Sequence, residues 1–78
     1  MFFLKIVSPT DIIFEGDVDF AVLPGSEGQL GILAHHAPLF TTLKKGQLKI
    51  RQREVQKTFD ISDGFVEVLK NRVTVLIK

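Results

Sequence analysis

Residues 64–78 read GFVEVLKNRVTVLIK and encode two short strands joined by a tight turn. Apolar side chains recur there at every second position, namely Val66, Val68, Val73, Val75 and Ile77. Because successive side chains of a strand point to opposite faces, this period of two predicts two strands that each bury one face. Lys70-Asn71-Arg72 between them predicts a hairpin loop, since asparagine tolerates the left-handed backbone that such loops need.

The same period of two extends outward over the rest of the chain. Three stretches repeat it clearly: FFLKIVS (residues 2–8), QLKIRQR (47–53) and VQKTFDI (55–61), the last interrupted by Lys57. Shorter apolar runs predict further strands at residues 12–14, 18–23, 29–33 and 39–43. Turn-forming residues fall between the strands, at Ser8-Pro9, Glu15-Gly16-Asp17, Pro24-Gly25-Ser26 and Lys45-Gly46.

These patterns predict a single all-β domain over residues 1–78. Nine or so short strands in so small a chain indicate two packed sheets or a barrel. Pro38 interrupts the only candidate helical stretch, which holds both histidines. The side chains predicted to be largely buried are Leu4, Ile6, Val22, Leu48, Ile50, Phe59, Val66, Val68, Val73 and Val75.

Composition narrows the class of protein. The chain has 78 residues, 45% of them hydrophobic, and no cysteine, so a disulfide framework and a cysteine-ligated metal site are excluded. Its first residues, MFFLKIVSPTD, show no leader peptide, and no apolar run is long enough to span a membrane. We therefore expect an unprocessed, soluble chain in a reducing compartment.

Catalytic, metal and nucleotide sites are each poorly supported by the residues present. Ser26, His36 and an aspartate supply the residue types of a hydrolase triad, but GSEG does not match the G-x-S-x-G elbow. His35 and His36 diverge on an extended backbone and lack further ligands at zinc-site spacing. No glycine motif precedes a Gly-Lys-Ser/Thr or a helix, so we predict no cofactor and no catalytic residue.

A nucleic-acid-binding β domain is the more serious alternative. Residues 44–57 concentrate six basic side chains in a chain of net charge +1: Lys44, Lys45, Lys49, Arg51, Arg53 and Lys57. Such a patch can steer an acidic partner, although alternating strands also place charges on their solvated face. Binding of single strands requires exposed aromatics for base stacking, and Phe3 and Phe65 are the candidates.

A resemblance becomes specific in the stretch GSEGQLGILAHHAPL, residues 25–39. The sequence closely resembles the N-terminal domain of the epsilon subunit of F-type ATP synthases. The matching positions are Phe14, Gly16, Val18, Leu23-Pro24-Gly25, Gly28, Gly31-Ile32-Leu33, His36-Ala37-Pro38-Leu39, Leu43-Lys44, Gly46, Gly64, Asn71 and Val73-Thr74-Val75-Leu76. The resemblance implies a flattened sandwich of two five-stranded sheets.

The resemblance also implies a non-catalytic role. Epsilon subunits are non-catalytic parts of the central stalk, bound to the gamma subunit and seated on the ring of c subunits, and they help to couple proton or sodium flow to ATP synthesis. The implied location is peripheral, on the cytoplasmic face of a bacterial inner membrane. The docking segment for these partners would comprise Gly25, Ser26, Glu27, Gly28, Gln29, His36, Ala37, Pro38 and Leu39.

The sequence departs from the family pattern in three places. Ala34 stands where members often have proline, and Gln29 stands where an acidic residue is frequent. Members also continue into a helical hairpin that can restrain hydrolysis or bind ATP, so we expect a chain without it to do neither. For His36, a pH-sensitive contact and a neutral ring that is hydrogen-bonded within the loop are both open.

Overall fold

The computed structural model describes all residues, 1–78, and contains strands and turns only. The strands are β1 (Phe2–Val7), β2 (Ile12–Val18), β3 (Phe20–Gly25), β4 (Gly28–Ile32), β5 (Leu39–Leu43), β6 (Gly46–Gln52), β7 (Val55–Ile61), β8 (Gly64–Leu69) and β9 (Arg72–Ile77). Nine strands agree with the number predicted from alternation, and are one fewer than the five plus five implied by the resemblance.

The strands form one hydrogen-bonded sheet that curls into a sandwich. Its order is β2-β1-β9-β8-β5-β3-β6-β7, with β4 paired to β3. Strand β3 joins the two halves, because Gly25 pairs with Leu43 of β5 while residues 20–22 pair with β6. We call β2-β1-β9-β8-β5 the first layer and β4-β3-β6-β7 the second layer. The prediction of an all-β sandwich is confirmed.

The core lies between the two layers and consists of fifteen buried hydrophobic residues. The predicted burial is confirmed for Leu4, Ile6, Leu48, Ile50, Val66, Val68, Val73 and Val75. Phe59 is only half-buried and packs against the rim of the core. The prediction for Val22 was wrong: its neighbours Ala21 and Leu23 are fully buried, and Val22 faces the outside of β3.

A bend at Asp19 explains why the burial predicted for Val22 was wrong. The turn predicted at Glu15-Gly16-Asp17 was wrong as well. Gly16 does not lie in a turn but inside β2, opposite Leu4 of β1. The strand ends instead before a bend at Asp19, whose carboxylate accepts a hydrogen bond from the Arg53 backbone amide at 2.8 Å. The extra residue at the bend shifts the alternation. Strand β3 therefore buries Ala21 and Leu23, and not Val22 as predicted.

Three predicted turns are shifted by one or two residues. Pro24 and Gly25 belong to β3, so the β3–β4 turn is Ser26-Glu27 alone, and Gly46 is the first residue of β6. The β8–β9 loop contains two residues, Lys70 and Asn71, with φ of 51° and 60°. Positive φ at both positions is the geometry of a type I′ hairpin turn, so the predicted left-handed asparagine is confirmed.

Candidate protein-docking surface

The β3–β4 hairpin carries the first half of the predicted docking segment. Gly28 has φ of +134°, which side chains rarely tolerate. At Gly25, a Cβ atom would lie 2.5 Å from the Gly28 carbonyl oxygen and 3.0 Å from Cγ of Leu30. Both glycines are therefore required by backbone geometry, and the turn they flank presents Ser26 and Glu27 to solvent.

Strand β5 holds this hairpin in place. The Ser26 amide donates to the Thr42 carbonyl at 3.1 Å, and the hydroxyls of these two residues lie 2.7 Å apart. The Lys44 amide also donates to the Pro24 carbonyl at 2.8 Å. These two backbone bonds lie on either side of Gly25 and join the β3 arm of the hairpin to the end of β5, whereas β4 pairs only with β3.

The structure brings part of the predicted docking segment together. Residues 25–29 and Leu39 line one shallow depression, together with Leu30 and Thr41. His36, Ala37 and Pro38 do not line it and lie in the connection between β4 and β5, residues 33–38. Most of the nine predicted residues are exposed; Gly25 is buried, and His36 and Leu39 are half-buried.

The two histidines differ in their environments, and the predicted extended backbone was wrong, because residues 34–35 form a turn. His35 is exposed and adopts φ of 62°, whereas Nδ1 of the half-buried His36 lies 2.7 Å from the Ala37 carbonyl oxygen. A carbonyl can only accept, so Nδ1 is the donor in this contact. A neutral and a protonated ring both make this bond, so the two interpretations of His36 stay predictions.

Asn71 anchors the connection of residues 33–38. Its Oδ1 accepts a hydrogen bond from the His35 backbone amide at 2.7 Å, and its Nδ2 donates to the Met1 carbonyl at 2.9 Å. The sequence identified Asn71 as a turn residue and as a position that matches the family, without a contact to His35. Its partner lies 36 residues away, so no local pattern signals this contact.

A hydrophobic surface on the outside of the first layer was not predicted. Phe40 is 66% exposed and stacks on Phe65, with ring centroids 5.8 Å apart and planes 14° apart. Phe65 pairs with Leu76, Leu76 with Val7, and Val7 with Ile12 across four strands. We call these five side chains the outer apolar face: Val7, Ile12, Phe40, Phe65 and Leu76. The signal was present, because alternation turns all of them except the strand-end Ile12 away from the core.

The basic and aromatic candidates for nucleic-acid binding do not share a surface. Lys49 and Arg51 lie on the outside of the second layer, whereas Lys57 pairs with the buried Ile50 and its Nζ lies 5.3 Å above the Phe14 ring. Arg53 occupies the β6–β7 turn. Phe3 and Phe65 belong to the first layer and are covered by Arg72 and Lys78. This arrangement provides no common stacking platform.

The remaining polar groups form neither a hydrolase triad nor a metal site. The Ser26 hydroxyl is bonded to Thr42, and no histidine is among its hydrogen-bond partners. Nowhere do three histidine, cysteine, aspartate or glutamate side chains cluster to hold a metal ion. No helix in the structure has the length and hydrophobicity needed to cross a bilayer.

The curled nine-stranded sheet with a glycine-flanked hairpin defines a small β-sandwich domain. A sequence model of the β-sandwich domain of the ATP synthase delta/epsilon chain matches residues 1–78, and this chain belongs to that family. The resemblance noted in the sequence is thereby confirmed.

Relatives and solved structures agree with this assignment. The chain is 47% identical to the ATP synthase epsilon chain of Leptospira borgpetersenii over 73 residues, covering 94% of this chain and 58% of that protein. It is 41% identical to the Caulobacter vibrioides ATP synthase epsilon chain over 72 residues, covering 92% and 84%. The chain thus spans little more than half the length of the Leptospira relative.

Two solved structures share the fold. A chain of the Euglena gracilis mitochondrial ATP synthase, OSCP/F1/c-ring, superposes with a TM-score of 0.89 at 23% identity, covering 95% of this chain and 48% of that one. A chain of the Tetrahymena thermophila mitochondrial ATP synthase central stalk/c-ring gives 0.83 at 21% identity, covering 96% and 61%.

Proposed function

We propose that this chain is the β-sandwich part of a non-catalytic central-stalk subunit of an F-type ATP synthase, which couples proton or sodium flow to ATP synthesis. Family membership and the relatives named ATP synthase epsilon chain support this proposal. The observation that carries it is the β3–β4 hairpin, which presents exposed polar residues next to a β3 arm that is hydrogen-bonded to the end of β5. No cofactor is needed for this role.

The docking segment would contact the ring of c subunits. Ser26, Glu27 and Gln29 are exposed and able to hydrogen-bond with polar loops. A rotor contact must transmit torque without slipping, and a hairpin with one arm hydrogen-bonded to the neighbouring strand suits that task. His36 lies in the connection on the far side of β4 and would contribute from there.

The outer apolar face would contact the gamma subunit. Contiguous exposed hydrophobic side chains on a small domain mark interaction sites, and aromatic rings supply rigid contact area. Phe40, 66% exposed, stacks on the half-buried Phe65 at one side of the face, and Ile12, 59% exposed, lies at the other. Placing gamma here leaves the β3–β4 turn free for the ring.

This assignment places the chain at a membrane without inserting it. The subunit would be held peripherally through the complex, on the cytoplasmic face of a bacterial inner membrane. Its contacts with lipid would be indirect, through the ring of c subunits.

The test replaces Gln29 and His36 together by tryptophan in the assembled complex. ATP-driven proton pumping should fall, whereas ATP hydrolysis by the detached soluble head should stay near normal, because the docking segment faces the ring and not the catalytic sites. Gln56→Trp, at an exposed glutamine on the second layer, is the matched control and should pump normally. Equal loss of pumping and hydrolysis would refute the docking assignment.

Co-purification separates the proposal from nucleic-acid binding. Recovery of the chain with the gamma subunit supports a stalk role. Tight binding to single-stranded DNA that weakens steeply with salt, in the absence of gamma, would support the alternative instead.

A further inference from the structure

One side chain, that of Asn71, joins three segments distant in sequence. The Oδ1 atom accepts from the His35 amide at 2.7 Å, and Nδ2 donates to the Met1 carbonyl at 2.9 Å. The backbone carbonyl of Asn71 also accepts from the Phe3 amide at 3.2 Å. The β8–β9 turn, the start of β1 and the β4–β5 connection therefore meet at this residue.

Asparagine satisfies every requirement of the position. It adopts φ of 60° in the type I′ turn, a conformation that asparagine, aspartate and glycine accept more readily than other residues. Its amide supplies an acceptor for His35 and a donor for Met1 at the same time. Aspartate would keep the acceptor and lose the donor, whereas glycine would keep the turn and lose both.

The connection of residues 33–38 has no other hydrogen bond to the sheets. Six backbone–backbone hydrogen bonds are made outside the strands, and none involves these residues. The bond between His36 and Ala37 is internal to the connection. The His35–Asn71 bond is thus the single hydrogen bond that fixes the connection against the first layer.

Asn71 also lines a groove on the first layer that connects it to the outer apolar face. The groove is bounded by Phe3, Leu69 and Arg72, and continues along β8 and β9 to Glu67 and Thr74. Glu67 pairs with Phe40, the most exposed member of the outer apolar face. The same layer therefore carries the proposed gamma contact and the anchor of the His36 connection.

We infer that Asn71 is a positioning residue, which fixes the His36 connection relative to the gamma-binding face so that both partners are engaged in one orientation. This inference rests on the proposed function. It adds a residue that acts through the His35 amide.

The experiment compares three variants of this chain. Asn71→Gly removes both side-chain bonds and keeps the turn, Asn71→Asp restores only the acceptor for His35, and Lys70→Gly is the matched control. Lys70 has φ of 51° in the same turn, so its replacement by glycine carries a similar backbone entropy cost without touching the anchor. The measurements are hydrogen exchange of the His35 amide, binding to purified c ring, and binding to purified gamma subunit.

In Asn71→Gly, exchange at His35 should accelerate about fivefold or more as its acceptor is lost. Binding to the c ring should weaken about tenfold, while binding to gamma stays within about twofold. Asn71→Asp should restore both His35 protection and ring binding, and Lys70→Gly should match the unaltered chain in all three measurements. Rescue by aspartate would attribute the effect to the His35 bond.

Three outcomes would overturn the inference. They are unchanged His35 exchange in Asn71→Gly, equal loss of ring binding in Lys70→Gly, and parallel loss of gamma and ring binding. If the unaltered chain does not bind the ring, the proposed function itself fails. If it binds and Asn71→Gly binds equally well, only the positioning role fails.

Discussion

The hydroxyls of Ser26 and Thr42 lie 2.7 Å apart although sixteen residues separate them in the chain. Because this bond joins the β3–β4 turn to β5, we expect Ser26→Ala and Thr42→Val each to lower the free energy of unfolding by about 0.5–1.5 kcal/mol. The double variant should cost little more than either single change, since one bond is lost in all three. Urea denaturation of the four proteins measures this coupling, and strictly additive losses would show that the hydroxyls do not interact.

Gly25 and Gly31 allow a matched test of the hairpin. A Cβ at Gly25 would meet the Gly28 carbonyl oxygen at 2.5 Å, whereas a Cβ at Gly31 would make an ordinary 3.7 Å contact with the Phe20 ring. We therefore expect Gly25→Ala to lower the free energy of unfolding by about 1–3 kcal/mol. Gly31→Ala should stay within about 0.5 kcal/mol of the original chain. Similar denaturation midpoints for both variants would contradict the close approach at Gly25.

The outer apolar face can be tested at Phe40. Its ring is 66% exposed, so Phe40→Glu should leave folding within about 1 kcal/mol, the scale of the lost aromatic stacking. Binding to the gamma subunit should weaken at least about tenfold, because a charge would be buried against a hydrophobic partner. Val55→Glu changes a residue on the second layer that is 56% exposed, and should bind gamma normally. The reverse pattern would move the gamma contact to the second layer.

Asp19 stabilises the bend between β2 and β3. Its carboxylate accepts the amide hydrogen of Arg53, a residue held at φ of 59° in the β6–β7 turn. Asp19→Ala should therefore lower the free energy of unfolding by about 1 kcal/mol. Asp19→Asn retains an acceptor and should recover most of this loss. An Asp19→Asn protein as unstable as the alanine variant would indicate that the negative charge, and not the hydrogen bond, matters.

The local alternation of apolar and polar residues was sufficient to predict most of the strands and most of the buried residues. In β1, β6, β8 and β9 one face is clearly more apolar than the other, so alternation alone identifies the buried residues. In VDFAVL both faces are apolar, and the choice between Val22 and Ala21 depends on the bend at Asp19. That bend is fixed by a bond to Arg53, which lies 34 residues away, so the local sequence does not contain the information.

The candidate docking surface also combines features that the local sequence predicts with contacts between distant residues that it does not predict. Turn chemistry is a local property, so the sequence predicts a turn at Pro24-Gly25-Ser26, close to the observed turn at Ser26-Glu27. The contacts of Thr42 with Ser26 and of Asn71 with His35 depend on which strands become neighbours. Gly16 shows the converse case, in which turn-forming chemistry is overridden by pairing with β1.

The parallel pairing of β1 with β9 has a kinetic consequence. Leu4 of β1 lies beside Val73 of β9, so these two neighbouring strands are far apart in the sequence. Contacts of such long sequence separation require closure of a loop that includes nearly the whole chain, and domains with high contact order fold on the millisecond-to-second scale. The first layer stays incomplete until residues 72–77 have been synthesised, and until then the unpaired edges of β1 and β8 are open to pairing with other chains.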